Sequence, residues 1–203
     1  MGNSQKFKPT IILIALNVAV YISTSVVGRD FLNTNFDLLV QYGQVNTYVI
    51  YYGYYYQLFT SMFIHADIAH IVGNMLFLLI FGLRGEEMFS LPEYLSIYFL
   101  GGLTGNLFSL LLLPLNTPSV GASGAIFAMF GAATIYARHG FSQSIIGALI
   151  YAFFLLFLSS GPGVNNFAHI GGLVAGLLIG YVLATRRKPE ARYTVSYSYS
   201  TFP

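Results

Sequence analysis

Asn166-Phe167-Ala168-His169-Ile170-Gly171-Gly172 opens a run that stays apolar to Ala184, with one histidine near its start and no Asp, Glu, Lys or Arg inside it. A run this long and this uniformly apolar reads as a helix that crosses a bilayer, because hydrocarbon offers no partner for free backbone N–H and C=O groups. Gly172, Gly176 and Gly180 follow His169 at spacings of three, four and four, which puts them on the histidine's own face. A stripe of small residues admits a second helix to backbone contact distance. The stretch therefore sets two expectations: a bundle of membrane helices, and a close neighbour beside His169.

Working outward, comparable apolar stretches lie at 11–27, 70–83, 94–113, 122–137 and 144–158, which with 167–184 makes six. Several are shorter than the ~20 residues that a lone span prefers, so flanking residues belong to them as well. The whole chain agrees: of 203 residues 56% are hydrophobic and only 8% charged, and the mean hydropathy is +0.67, too apolar for an ordinary soluble domain. There is no cysteine, which removes disulfides, Cys-based metal sites and a Cys nucleophile. A net charge of +2 points to no nucleic-acid partner.

Lys6 and Lys8 before the first apolar run resemble the charged start of a signal peptide. The run at 11–27 is about 26 Å long as a helix, however, and no cleavage pattern with a soluble domain behind it follows, so it is read as a span. In a six-span arrangement Lys6, Lys8, Arg84, Arg138, Arg186, Arg187, Lys188 and Arg192 fall on one side and Arg29 alone on the other. Positive charge collects on the cytoplasmic side, so both termini are expected there and the long first loop, 28–69, outside. That loop's aromatic run, 48–59, reads either as a segment lying in the membrane interface or as a plain aromatic belt beside a span. With no internal repeat of broken helices, residues 1–188 read as one six-helix domain, and the Tyr/Ser-rich 189–203 as a mobile tail.

Polar side chains inside spans are costly and mark function by default. In the orientation above, the second, fourth and sixth spans run from outside to inside, and each carries its polar residues in its first turns: His70 and Asn74, Ser123, and His169. All would meet at one depth. Ser123 lies in Gly121-Ala122-Ser123-Gly124, where flanking glycines permit a tight turn and a close neighbour; taken alone, the serine is as readily a small packing residue. His169 could accept the serine proton, or could hydrogen-bond a carbonyl as helix glue. His70 and Asn74, at i and i+4, could together with the Ser123 N–H hold a developing oxyanion, or could be a helix–helix hydrogen-bonding pair. His65, flanking Asp67, raises a metal site with His70 and His169, which the absence of a His-Glu-x-x-His pattern and of any carboxylate inside a span except Glu86 and Glu87 at the cytoplasmic end disfavours, so no metal is expected. No span holds the paired aspartates of an aspartyl protease or the buried acid of a proton-coupled transporter.

Three segments together resemble the rhomboid family: His65-Ala66-Asp67-Ile68-Ala69-His70-Ile71-Val72-Gly73-Asn74, Gly121-Ala122-Ser123-Gly124, and Ala168-His169-Ile170-Gly171-Gly172 with Gly176. The resemblance covers roughly 10–188 and implies an all-α bundle of six transmembrane helices with a long interfacial first loop. It implies an intramembrane serine endopeptidase that cuts transmembrane segments of membrane-protein substrates from the bilayer, at the plasma membrane, with the site opening to the extracytoplasmic side. By the same resemblance Ser123 is the nucleophile and His169 the base. His70, Asn74 and Gly121 hold the oxyanion and substrate, while His65, Gly172 and Gly176 are supporting residues. No cofactor is implied. Many members carry Trp-Arg in the first loop where this chain has Tyr56-Gln57. The fifth span, with Tyr151, Phe153, Phe154 and Phe157, matches the family's lateral gate, although those rings could equally face lipid.

Two other functions compete. A rhomboid-like protein that binds membrane clients without cutting them normally lacks the serine or the histidine, and both are present here. A transporter or channel would need a polar path through the bilayer, whereas the ionisable residues sit at one level.

Overall fold

The computed structural model describes residues 8–140 and 163–186, and these are helical, with no strand beyond isolated bridges. The long helices are α1 (Pro9–Gly28), α5 (Ile68–Met88), α6 (Leu91–Leu112), α7 (Ser123–Gly140) and α8 (Asn166–Arg186), and the short ones α2 (Phe36–Tyr42), α3 (Asn46–Tyr52) and α4 (Gln57–Thr60). Four of them, α1, α5, α6 and α8, have 20 to 22 residues and are apolar enough to cross a membrane. At 1.5 Å per residue each is about 30 Å long, the thickness of a hydrocarbon core. The apolar part of α7 is shorter, Ser123–Tyr136. Five of the six expected spans thus fall on described helices. The fifth, 144–158, lies outside the described residues, as do Lys6, Arg187, Lys188, Arg192 and the tail.

Local signals set the helix ends. Proline stands at the start of α1, where a missing N–H costs nothing. The Asp67 carboxylate accepts from the His70 N–H at 2.7 Å and caps α5. Ser90 and Glu93 form a capping box at the start of α6. The expected second span therefore extends at both ends beyond 70–83.

α7 is the hub, packed between α8, α6 and α5, while α1 lies on the outer side of α5. The small-residue stripe on α8 does what its spacing promised. A Cβ placed on Gly172 would run into the Gly124 carbonyl oxygen, one on Gly176 into that of Ala128, and one on Gly180 would come within 2.6 Å of that of Ala132. The same closeness recurs against α6, where a Cβ on Gly105 would lie 2.6 Å from the Ala168 oxygen. Between α5, α6 and α7 the core is filled by Leu78, Tyr94, Ile97, Tyr98 and Met129, all fully buried. At the far end from Ser123, the Thr10 N–H donates to Glu86 Oε1 (2.9 Å) and the Thr10 hydroxyl bonds the Tyr94 hydroxyl (2.9 Å), tying α1, α5 and α6 together.

The first loop is folded rather than strung across the helix ends. Its tyrosines cluster, Tyr48, Tyr52, Tyr54 and Tyr56 lying with centroids 5.6 to 6.2 Å apart between neighbours, and Tyr51 and Tyr55 are exposed. Beneath them lie fully buried polar side chains. Gln57 accepts from the Val45 N–H (3.0 Å) and donates to the carbonyls of Val40 (2.8 Å) and Gln41 (3.3 Å), and the Tyr56 hydroxyl donates to Gln41 as well. The Tyr56-Gln57 pair is therefore an anchor of the loop. Asn46 donates to the carbonyls of Ser109 (2.9 Å) and Leu113 (3.0 Å) at the end of α6. That fastening ties the loop to the carboxyl end of α6, where the Ser109 carbonyl also accepts from the Leu113 N–H.

Candidate active site

Ser123 is the first residue of α7 and His169 lies in the first turn of α8. The close packing of the two helices brings His169 Nε2 to 2.9 Å from Ser123 Oγ. With the ring proton on Nδ1, Nε2 accepts the hydroxyl hydrogen. The histidine is nine-tenths or more buried. Its ring lies flat on Phe127, with centroids 4.6 Å apart and planes at 23°. Phe127 stands one turn beyond Ser123 and so fixes the imidazole plane from the nucleophile's own helix. Sequence reasoning missed it, although its i+4 position relative to Ser123 put it on the same face.

The segment entering α7 is held just as closely. Gln44 and Ser119 exchange both backbone hydrogen bonds at 2.9 Å, and the Gly121 N–H donates to the Ser61 carbonyl at 2.9 Å. Gly121 has φ of +120°, a conformation that glycine adopts without strain. A Cβ there would lie 2.8 Å from His70 Nε2 and 3.0 Å from its Cε1, so the backbone beside Ser123 abuts the His70 ring.

His70 and Asn74 share one face of α5 and line the same cavity as Ser123, Gly121 and His169, a space of about 630 Å³ that continues along Phe77 and Phe81. Asn74 is nearly buried, and one of its amide hydrogens goes to the His70 carbonyl of its own helix at 3.0 Å. His65 does not reach the cavity. It sits fully buried in the loop before α5, edge-on to His70 with centroids 5.2 Å apart, and neither ring nitrogen has a hydrogen-bond partner. Burial, and secondarily the His70 imidazole, push its pKa down to about 3, so it is neutral. Gly172 and Gly176 lie in the α7–α8 contact, outside the cavity. The sequence-predicted residues thus form two sets: Ser123, His169, His70, Asn74 and Gly121 around one space, and His65, Gly172 and Gly176 behind it. Among the described residues no three His, Asp or Glu side chains are placed to hold a metal ion.

Asn165 was also missed. Its Oδ1 accepts from the N–H groups of Phe167 and Ala168, both at 3.1 Å, at the start of α8. Its amide nitrogen donates to the hydroxyls of Ser109 and Ser119, each at 2.6 Å. An Asn directly before an apolar helical run is a capping signal that was there to be read.

Helices of membrane-spanning length packed through small residues, with polar side chains gathered at one depth, define a multi-pass integral membrane protein. A Rhomboid domain family model matches residues 52–186, well over half of the chain. The chain belongs to the Rhomboid family. It is 37% identical over 134 residues to RHOMBOID-like protein 6, mitochondrial, of Arabidopsis thaliana, covering 63% of this chain and 43% of that protein. Over 180 residues it is 34% identical to Rhomboid protease GluP of Bacillus subtilis, covering 85% of this chain and 34% of that one. Rhomboid-like protease 2 of Toxoplasma gondii is 30% identical over 181 residues, 85% of this chain and 64% of its own. The chain spans less than half the length of the Arabidopsis and Bacillus relatives.

Proposed function

We propose that this chain is an intramembrane serine endopeptidase that cuts transmembrane segments of membrane-protein substrates through a Ser123–His169 dyad. The observation that carries the reading is the 2.9 Å separation of His169 Nε2 and Ser123 Oγ in a buried, Phe127-backed geometry. Membership of a family in which relatives are named proteases supports it.

Ser123 Oγ attacks the scissile carbonyl carbon while its proton passes to His169 Nε2. The carbonyl oxygen becomes negative, and donors aimed at it count most in a site that excludes water, each worth about a hundredfold or more in rate. The Ser123 N–H at the start of α7, His70 and the remaining N–H of Asn74 are those donors, and Gly121 leaves them room. Collapse breaks the C–N bond and the imidazolium proton goes to the leaving amine. Water, activated by the same imidazole, then hydrolyses the acyl ester and regenerates the serine. His65, neutral and buried, supports His70 from behind. No metal or cofactor takes part.

In the same reading the fold is a six-helix bundle over 1–188 with the tail 189–203 appended, both termini are cytoplasmic, and the first loop lies in the membrane interface. The site opens to the extracytoplasmic side, and the membrane is the plasma membrane. The location of Lys8, Arg84 and Arg186 at the bundle end remote from Ser123, with Arg29 at the other, supports that orientation. Reconstituted in liposomes, wild-type protein is expected to cleave a single-span model substrate, and Ser123→Ala and His169→Ala each to lower the rate by roughly 10⁴-fold or more while the helical fold persists. Cleavage persisting in Ser123→Ala would remove the nucleophile assignment. A wild type that binds several single-span proteins and cuts none would favour a client-binding role instead.

A further inference from the structure

We infer that Asn165 is a positioning residue that sets the register of α8 along α7, and with it the distance between His169 and Ser123. The inference rests on the dyad reading above. The α7–α8 contact is a stripe of small residues, and such a surface fixes how far apart two helix axes lie much better than it fixes how far one has slid along the other. Gly172, Gly176 and Gly180 receive the carbonyls of Gly124, Ala128 and Ala132, and Leu173 packs with Phe127 and Phe130, so these van der Waals contacts set the register coarsely and a directional bond is needed to fix it to within a fraction of an ångström. The Ser123–His169 hydrogen bond depends on that register, because a displacement of about one ångström along the 2.9 Å contact takes it out of hydrogen-bonding range and a sideways one bends it.

Asn165 supplies the stop. Its carboxamide has two donor hydrogens and an acceptor oxygen with two lone pairs, and all four are used. The oxygen grips the second and third N–H groups of α8, at Phe167 and Ala168, two residues and one residue before His169. The two hydrogens go to hydroxyls on two other elements. Ser109 is anchored in α6, its own hydroxyl donating to the Gly105 carbonyl at 3.0 Å. Ser119 sits in the segment that leads into Ser123, with its backbone paired to Gln44 in both directions. One side chain therefore ties the base-bearing helix to the nucleophile's own approach and to a fixed third helix. It does so without touching Ser123 or His169 through its side chain.

The test is the steady-state cleavage of a single-span substrate in liposomes by wild type, Asn165→Ala, Asn165→Asp and Ser119→Ala, with Ser123→Ala as the inactive control. Asn165→Ala is expected to lower kcat about tenfold or more with KM within about twofold, since register affects the reacting atoms and leaves the substrate's path alone. Asn165→Asp should lie closer to wild type, because a carboxylate still accepts from both α8 N–H groups and from the Ser119 hydroxyl. Ser119→Ala, which removes a single bond and leaves the helix cap intact, should lower kcat several-fold at unchanged KM, and it decides the matter if Asn165→Ala does not fold. An unchanged kcat in Asn165→Ala or Ser119→Ala, or equal loss in Asn165→Ala and Asn165→Asp, overturns the inference. Those results leave the dyad standing provided wild type cleaves and Ser123→Ala does not. Cleavage by Ser123→Ala, or none by wild type, brings down the dyad reading and this inference with it.

Discussion

At Gly121 a left-handed backbone and the absence of a side chain serve the same end. The φ of +120° aims the preceding segment into α7, and the missing Cβ leaves space that the His70 ring occupies at 2.8 Å. Gly121→Ala is therefore expected to strain the turn and push His70 away from the place of the developing oxyanion. The predicted result is a fall in kcat/KM of about a hundredfold, the scale of a lost oxyanion donor, with the fold retained by circular dichroism. Near-wild-type kinetics would show that His70 is not held there for catalysis. At this scale the sequence placed Ser123, His169 and His70 at one depth with other uses open to each, and the structure sets all three around one cavity. Phe127 and Asn165 escaped because their roles depend on which atoms face them across helices, and an aromatic or an amide in an apolar helical context has many other uses.

Between elements, the contact of α7 with α8 is the one on which the candidate site depends. A side chain on Gly176 would have to displace the Ala128 carbonyl, which is backbone and cannot swing aside. Gly176→Val is expected to cost about 1–3 kcal/mol by overpacking, read as a lower unfolding midpoint, and to lower cleavage as well because His169 moves with α8. A stable and fully active variant would show that the helices need not touch. Gln57 is the matching test of the first loop. Gln57→Ala takes the partner from the buried Val45 N–H and the Gln57 bond from the Val40 carbonyl, while Gln41 keeps its bond from Tyr56, at about 1–3 kcal/mol for each group left unsatisfied, and should speed proteolysis within 36–60. Unaltered proteolysis would contradict the anchoring. The long helices were legible from uniform apolar runs. By contrast α2, α3 and α4 have 7, 7 and 4 residues, too few for a periodic signal, and bonds such as Asn46 to the Leu113 carbonyl join residues 67 apart in the chain. No local pattern announces such a tie.

For the molecule as a whole, one end of the bundle gathers the starts of α5, α7 and α8 with the first loop, and the other gathers Lys8, Arg84 and Arg186. If positive charge marks the cytoplasm, the two ends face different compartments. The sequence contains no cysteine, so single-cysteine variants report side without a background. Asp37→Cys, in the exposed face of α2, is expected to react with an impermeant maleimide added outside intact cells. Glu87→Cys, whose parent side chain is 64% exposed at the end of α5, should react only after permeabilisation. The reverse pattern would invert the bundle and place the candidate site toward the cytoplasm. The expected orientation comes from the distribution of charge, a property of the whole chain that does not depend on where single helices end, and the labelling tests it.

The claim beneath all of this is that His169 makes Ser123 a nucleophile, and its most direct measurement is covalent labelling by a fluorophosphonate, with the modified residue mapped by mass spectrometry. Attack by Ser123 Oγ forms the P–O bond and expels fluoride, while the hydroxyl proton goes to His169. Wild type should carry the adduct on the peptide containing Ser123, and His169→Ala should label at least about a hundredfold more slowly, the lower end of what a positioned base contributes. An adduct on another residue, or equal labelling of wild type and His169→Ala, would contradict the dyad.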